Sequence, residues 1–321
     1  MRKVLRYGVA IIVTVLMLMI ARRLSPVHSE KIRETIEGVT VEHTTVGKTV
    51  DGKPDIISLR ITNPDSTFLF VTMRWAMAEG RLSLPGTYGN LDLLPADSGL
   101  YRAPLPIFPK GKKVLYYFYI HSRDGKISFN FPNNGTKPIL IKYEGSVPLY
   151  IVIPHIFLMF VGIFLATLAL FDAFNVVWDK DSLPQMARNF KWATVAVLLG
   201  GYPFGWAMNY FAFGTIWEGI PFGWDFTDNK TQIVLLYLIF LNLSMLGTLY
   251  KGRFGSNNYS DKTLGYLALV GYLLVMAIYL IPHSIQFSVA ATAVFAYGLT
   301  AIIIALYILG LSRKQKWTEK N

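Results

Sequence analysis

Long uncharged hydrophobic stretches dominate the second half of the chain. A helix needs ~18–25 residues to cross the ~30 Å hydrocarbon layer of a bilayer. Five stretches meet that requirement: Val147–Phe171, Trp192–Phe213, Ile233–Tyr250, Leu264–Pro282 and Ser288–Leu311. Because lipid cannot pair with backbone N–H and C=O groups, a spanning segment must satisfy them internally, and these stretches lack the alternation of a barrel strand. They predict a bundle of five transmembrane helices over residues 148–312.

A shorter apolar segment, Tyr7–Ala21, lies near the N-terminus. It follows the three cations Arg2, Lys3 and Arg6, which is the arrangement of a cleaved secretory signal or of an uncleaved anchor. We favour the anchor because no small-x-small cleavage site follows Ile20. In addition, Arg22 and Arg23 can extend their charges towards the interface and lengthen the span. Residues 1–27 therefore form a sixth predicted transmembrane helix.

Residues 28–147 have a different pattern, in which short β-rich runs alternate with turns. The predicted strands are Val39–Val46, Ile56–Thr62, Phe68–Ala76, Val114–His121, Lys126–Phe131 and Ile139–Tyr143. Turn residues such as Asn63-Pro64-Asp65 and Asp124-Gly125 separate them. Several short strands spaced in this way predict an all-β sandwich. In the run Tyr116–Tyr119, we expect alternate residues to fill the core and the others to cover a sheet face.

One part of this domain resembles a known module. The stretches Gly99–Pro106, Gly111–Tyr119 and Ser122–Gly125 are similar to immunoglobulin-like modules appended to many secreted bacterial proteins. The resemblance covers about fifty residues and implies a fold, together with a role as a spacer or as a surface that binds a partner or a glycan.

The cations indicate how the chain is oriented. Alternate connections contain Lys180, Arg188 and Lys191, then Lys251, Arg253 and Lys262, and then Arg313, Lys314, Lys316 and Lys320, whereas the short connections on the opposite side contain only Lys230. The positive-inside rule then places both termini in the cytoplasm, including the basic tail at 313–321, and places residues 28–147 outside it. The formal charge of +11 is mainly this topology signal, and it does not indicate nucleic-acid binding.

Composition excludes several kinds of chemistry. The chain contains no cysteine, which rules out disulfides, thiolate metal sites and covalent c-type haem attachment. No charged residue lies near the centre of a predicted span, which disfavours a coupled transporter. The sequence also shows no hydrolytic or phosphate-binding motif, so binding is favoured over catalysis.

The predicted outer ends of the helices contain the unusual residues. His155 lies near the start of one span, and His283 at the end of another. The external loop 209–232 is rich in aromatic residues, including Trp217, Phe222, Trp224 and Phe226. Such rings are normally buried against a membrane interface, a neighbouring domain or a flat apolar ligand.

This part of the chain, over residues 148–311, resembles the WWD-domain haem-handling membrane proteins of cytochrome c maturation, especially the CcmC-type branch. The similar features are Gly214–Trp217, Pro221-Phe222-Gly223-Trp224-Asp225, Thr231 and Leu235–Leu238, with His155 and His283 in the two histidine positions. Phe222 stands where the family has a further tryptophan. The inserted β domain is not part of the family's usual arrangement.

The resemblance implies non-covalent haem b, handled on the outer face of a bacterial cytoplasmic (inner) membrane. His155 and His283 would be the axial ligands, and Trp217, Phe222, Trp224 and Phe226 would surround the macrocycle. Asp225 would lie beside them and cap the following helix. The propionates would need cations from Lys230 or from the β domain. A haem chaperone, an apocytochrome or a transporter subunit would be the partner.

Two other interpretations remain open. The histidines are also typical of polar groups at a membrane boundary. The aromatic loop is likewise typical of an interfacial aromatic belt. The chain would then be an envelope scaffold whose β domain binds a partner or a glycan. Alternatively, it is an accessory subunit of a respiratory complex.

Overall fold

The computed structural model describes residues 2–24, 29–50, 55–63, 68–78, 89–178, 182–250, 257–282 and 287–318. The chain divides into two compact units. The first, which is helical, comprises Met1–Pro26, Pro148–Asn209 and Thr215–Asn321. The second, which is built of β-strands, comprises Val27–Val147 together with Tyr210–Gly214.

Within the part of the chain that the structure describes, four helices are long and apolar enough to cross a membrane: Val4–Leu24, Leu149–Trp178, Asp261–Leu280 and Val289–Arg313. In chain order, the helical elements are α1 (Arg2–Leu24), α2 (Leu149–Trp178), α3 (Leu183–Leu199), a π-helical turn (Gly200–Phe204), α4 (Gly205–Phe213), α5 (Phe226–Ser244), α6 (Leu246–Tyr250), α7 (Asp261–Leu280) and α8 (Val289–Thr318). At 1.5 Å per residue, the 30 residues of α2 span about 45 Å.

Small residues bring the helices of this unit close together. A Cβ atom added at Gly162 of α2 would lie 2.7 Å from a methyl carbon of Val197 in α3. One added at Gly265 of α7 would lie 2.8 Å from Val177 in α2. In lipid, where apolar side chains gain little by leaving the solvent, this close backbone approach and its van der Waals contacts stabilise helix association.

The described residues of the β unit form ten strands, and most of these strands form one continuous path that curves into a half-barrel. The strands are β1 (Lys31–Ile36), β2 (Val39–Thr44), β3 (Lys48–Val50), β4 (Ile56–Thr62), β5 (Leu69–Met77), β6 (Gly89–Pro95), β7 (Leu100–Pro104), β8 (Lys113–Ser122), β9 (Ser128–Phe131) and β10 (Ile139–Glu144). The order along the path is β1-β2-β4-β7-β6-β5-β8-β10-β3, and β9 pairs with β8. The pairings among these ten strands are antiparallel except that of β10 with β3.

Alternation along the strands builds the core of this unit. Ile57 and Leu59 of β4 and Tyr116 and Phe118 of β8 are fully buried in one apolar cluster. Burying a side chain of this size contributes ~1.5–3 kcal/mol. Tyr119 points to the other face, where it stacks on His121 at 5.0 Å between ring centroids. Tyr116, Phe118 and Tyr119 therefore follow the expected alternation, whereas Tyr117 is also buried.

Candidate functional site

His155 lies in the second turn of α2 and is held by the backbone of the π-helical turn. Its Nδ1 atom is 2.9 Å from the carbonyl oxygen of Gly200. Since a carbonyl oxygen can only accept, Nδ1 carries the proton and donates it. In the neutral ring, Nε2 then keeps its lone pair, which is the tautomer required of an Nε2 metal ligand.

The π-helical turn follows from its sequence, Gly-Gly-Tyr-Pro-Phe. Pro203 has no N–H to donate to the carbonyl four residues earlier, so the regular hydrogen-bond ladder of α3 is broken there. Gly200 and Gly201 allow other helices to approach closely. A Cβ atom at Gly201 would be 2.8 Å from the methyl carbon of Thr231 in α5. Single π-helical turns within helices often occur at functional sites.

Trp217 packs against the same turn. Its ring stacks on Tyr202, with centroids 5.5 Å apart and planes inclined by 20°. The indole Nε1 donates to the carbonyl oxygen of Ile220 at 3.4 Å. The five-residue turn Gly200–Phe204 therefore contacts both His155 and Trp217, which are far apart in the sequence.

Asp225 caps α5, as the sequence predicted. Its carboxylate accepts hydrogen bonds from the backbone N–H groups of Thr227 at 2.8 Å and Asp228 at 3.1 Å. Its own N–H donates to the carbonyl oxygen of Glu218 at 2.7 Å, which closes the loop before the helix. The prediction that Asp225 caps this helix is confirmed.

The three other aromatic candidates differ in exposure. Phe226 is buried, with its ring centroid 4.5 Å from that of Phe287 and 4.8 Å from that of Phe295. Phe222 is 84% exposed and Trp224 is 46% exposed. The Trp224 ring contacts Tyr297 of α8 edge-on at 6.3 Å. Phe226 is thus part of the packing between helices, whereas Phe222 and Trp224 remain accessible.

His283, the second predicted ligand, lies outside the described residues. The pairing of His155 with His283 around one iron therefore stays a prediction. Within the described part of the chain, no group of three or more His, Cys, Asp or Glu side chains is placed to hold a metal ion. A haem iron with two histidine ligands would not form a group of three, so this finding does not bear on the proposed pair.

A buried polar cluster beneath the loop was not predicted. Asp228 accepts hydrogen bonds from Nδ2 of Asn209 at 3.0 Å and from the backbone N–H of Glu218 at 2.7 Å. The side-chain oxygen of Asn229 accepts the backbone N–H of Ile220 at 2.9 Å. These bonds hold the loop to the first turn of α5. The signal in the sequence was the polar run Asp228-Asn229-Lys230 directly before an apolar helix.

Lys230 is also buried, and its contacts differ from those of the propionate-binding cation considered in the sequence analysis. Its ammonium group donates to the carbonyl oxygen of Ile281, at the C-terminal end of α7, at 2.6 Å. A cation at a helix C-terminus is favourable because it meets the negative end of the helix dipole. Lys230 therefore links α5 to α7 and does not extend towards the surface.

No family model matches the sequence of this chain, and no curated protein matches it.

Proposed function

We propose that the chain binds haem b non-covalently on the outer face of the bacterial cytoplasmic membrane and presents it for transfer, in cytochrome c assembly. The observation that supports this most directly is the hydrogen bond from Nδ1 of His155 to the carbonyl oxygen of Gly200. Ligating histidines in metal sites almost always donate their other ring N–H in this way, which fixes the ring and its tautomer. His155 and His283 are the proposed axial ligands.

The accessible aromatic rings fit a flat ligand. Phe222 and Trp224 expose much of their surface, and Tyr297, which is also exposed, lies beside Trp224. Offset or edge-on contacts of such rings with a macrocycle contribute ~0.5–1.5 kcal/mol each beyond the buried area. Trp217 would act indirectly, because it stabilises the π-helical turn that orients His155.

The propionates need cations other than Lys230. Its ammonium group is buried and already bonded to Ile281, so recruiting it would break that link between helices. Haem bound at this site would supply a redox-active iron. His155 and His283 would hold it, the exposed Phe222 and Trp224 would contact it, and a chaperone, an apocytochrome or a transporter subunit would be the partner in transfer.

The proposed topology has six spans with both termini in the cytoplasm. In addition to the four long apolar helices, α3, the π-helical turn and α4 follow one another without a break over 31 residues, 183–213. Similarly, α5 and α6 are separated by a single residue, Met245. Each pair is long enough to cross the bilayer. The β unit is proposed to have an immunoglobulin-like fold and to lie outside the cytoplasm.

An absorption spectrum tests the haem proposal. Purified full-length protein, either as isolated or after titration with haemin, should show the Soret band of low-spin haem. We expect His155→Ala and His283→Ala to abolish the band. His121→Ala, a histidine of the β unit, should leave it unchanged. A colourless protein that also takes up no haemin would remove the proposal.

One set of observations favours a second function, an envelope scaffold. Trp217, Asp225 and Phe226 all make contacts that stabilise the helical unit itself. In that case both histidine substitutions would be silent, and substitutions on exposed strands of the β unit would abolish binding of a protein or glycan partner. Co-purification with oxidase or dehydrogenase subunits would instead indicate an accessory subunit of a respiratory complex.

A further inference from the structure

A pocket lies between the first half of α3 and the short helix α6. Its volume is about 350 Å³. This value lies within the ~300–1,000 Å³ that is usual for small-molecule sites. The pocket is lined by Gln185, Arg188, Lys191 and Trp192 of α3 and by Thr248 and Leu249 of α6. It therefore has room for a phosphate group together with a short apolar extension.

Two cations on one face of α3 line this pocket. Arg188 and Lys191 are three residues apart, so their side chains are neighbours on the helix surface. Arg188 donates to the side-chain oxygen of Gln185. The ammonium group of Lys191 lies 5.8 Å from the ring centroid of Trp192 and 5.9 Å from that of Tyr250.

The two cations have no ion-pair partner among the described residues. Neither Arg188 nor Lys191 forms an ion pair there, and the described lining contains no acidic side chain. Asp172, in the neighbouring helix α2, interacts electrostatically with Arg188, but its carboxylate is hydrogen-bonded to Arg6 and Asn189. The pocket is therefore positively charged and complementary to an anion.

Its aromatic neighbours indicate where the pocket lies in the bilayer. Trp192 is 52% exposed and Tyr250 is 43% exposed, and these residues lie at the ends of two of the apolar stretches, Trp192–Phe213 and Ile233–Tyr250. Exposed Trp and Tyr at span ends are typical of the headgroup level of a membrane. By the cation distribution, this is the cytoplasmic surface.

We propose that this pocket binds the phosphate headgroup of an anionic phospholipid. Arg188 and Lys191 would contact the phosphate, and Leu249 and the Trp192 ring would contact the glycerol and the first methylene groups. Basic pockets between transmembrane helices on the cytoplasmic side are suited to such headgroups. A soluble phosphate would use the two cations equally well but would gain nothing from the apolar side of the pocket.

Native mass spectrometry of the delipidated full-length protein in detergent tests this proposal. The probes are phosphatidylglycerol, phosphatidylcholine and inorganic phosphate. We expect phosphatidylglycerol to bind roughly tenfold or more tightly than phosphatidylcholine, because each cation near the headgroup favours the anionic lipid. R188Q/K191Q should abolish most of that preference. Since both side chains are exposed, their removal should leave the fold intact.

The matched control is K262Q/R313Q, which removes two exposed cations from the same predicted side of the membrane but from outside the pocket. It should retain the lipid preference. The proposal is overturned if R188Q/K191Q binds phosphatidylglycerol as the unaltered protein does, or if both double variants lose the preference equally. Displacement of the lipid by millimolar inorganic phosphate would also overturn it, because the site would then be one for soluble anions.

Discussion

The guanidinium group of Arg6 in α1 lies 2.5 Å from the carboxylate of Asp172 in α2. Asp172 is only 1% exposed, and its second carboxylate oxygen accepts a hydrogen bond from Asn189 of α3 at 2.8 Å. Arg6 also donates to the carbonyl oxygen of Leu168 at 3.2 Å. These bonds join the N-terminal helix to the helices that come after the β unit in the sequence.

Removal of Arg6 should therefore destabilise the helical unit. Breaking a fully buried ion pair by deleting one partner costs ~3–5 kcal/mol, and because the Arg6 side chain is 28% exposed we expect about 1–3 kcal/mol for R6Q. Thermal unfolding of the detergent-solubilised protein measures the loss.

The double variant R6Q/D172N should recover part of this stability, since no uncompensated charge remains. R22Q, which removes an exposed arginine at the other end of α1, should change the midpoint little. Equal midpoints for R6Q and R22Q would contradict a stabilising pair.

Hydrophobicity made the helices easier to predict than their ends. The apolar stretch Val147–Phe171 lies almost entirely within α2, but α2 continues to Trp178 through Asp172, whose charge is compensated by Arg6. Likewise, α3 starts at Leu183, nine residues before the predicted span. These extensions depend on contacts with other helices, which a single stretch of sequence does not contain.

The strands, like the helices, were predicted where the local pattern is strong and missed where contacts with other elements define them. All six predicted strands overlap strands of the structure, and β7 lies within the stretch that resembles an immunoglobulin-like module. The additional strands β1, β3 and β6 are polar or short. Strand β1 pairs along its whole length with β2. Glu34 in this strand accepts a hydrogen bond from the backbone N–H of Asn133, and Glu37 just after it accepts one from the backbone N–H of Ser128. Pairing and edge contacts, not local hydrophobicity, define it.

At the candidate site, local chemistry was predicted and long-range contacts were not. The cap formed by Asp225 depends on the next three residues, which the sequence shows directly. The bond between His155 and Gly200 joins residues 45 positions apart. The bond between Lys230 and Ile281 joins residues 51 positions apart. Neither can be deduced from spacing alone.

Replacing Asp225 by alanine should destabilise the start of α5. The variant D225A loses the acceptor for two backbone N–H groups, which typically costs ~0.5–2 kcal/mol. D225N keeps an oxygen acceptor and should lose only the interaction of the charge with the helix dipole, ~0.3–1 kcal/mol. Thermal unfolding should rank the unaltered protein above D225N and D225N above D225A. A D225A midpoint equal to that of the unaltered protein would be inconsistent with the cap.

Gly223 is needed for the close approach of the loop to itself. A Cβ atom there would lie 2.4 Å from the carbonyl oxygen of Glu218, which already accepts the N–H of Asp225. The variant G223A should therefore displace the loop at a cost of about 1–3 kcal/mol and increase proteolysis near Phe222. Gly298 of α8 has open space around it, so G298A should be neutral or slightly stabilising. If G223A and G298A resist protease equally, the close approach of Gly223 to Glu218 does not stabilise the loop.

The stability of the β unit should fall in mild acid because of His43. This ring is buried, with Nδ1 2.7 Å from the carbonyl oxygen of Ser58 and Nε2 2.6 Å from the hydroxyl oxygen of Tyr116. The carbonyl requires a proton on Nδ1, so Nε2 accepts the Tyr116 hydroxyl and the neutral ring is fully bonded. Burial lowers the pKa of His43 below its usual value near 6.5.

The sign of the pH effect is set by this lowered pKa. Below about pH 6.5 the unfolded chain binds a proton that the folded unit excludes, so stability should be constant above that pH and fall by up to ~1.4 kcal/mol per unit below it. Hydrogen exchange of peptides from β2, β4 and β8, corrected for intrinsic rates and measured between pH 7 and 5.5, reports this loss. H43Q should remove the dependence and H121Q should retain it. H43Q has no imidazole between Ser58 and Tyr116. If this variant lost stability in acid as the unaltered protein does, a group other than His43 would be responsible.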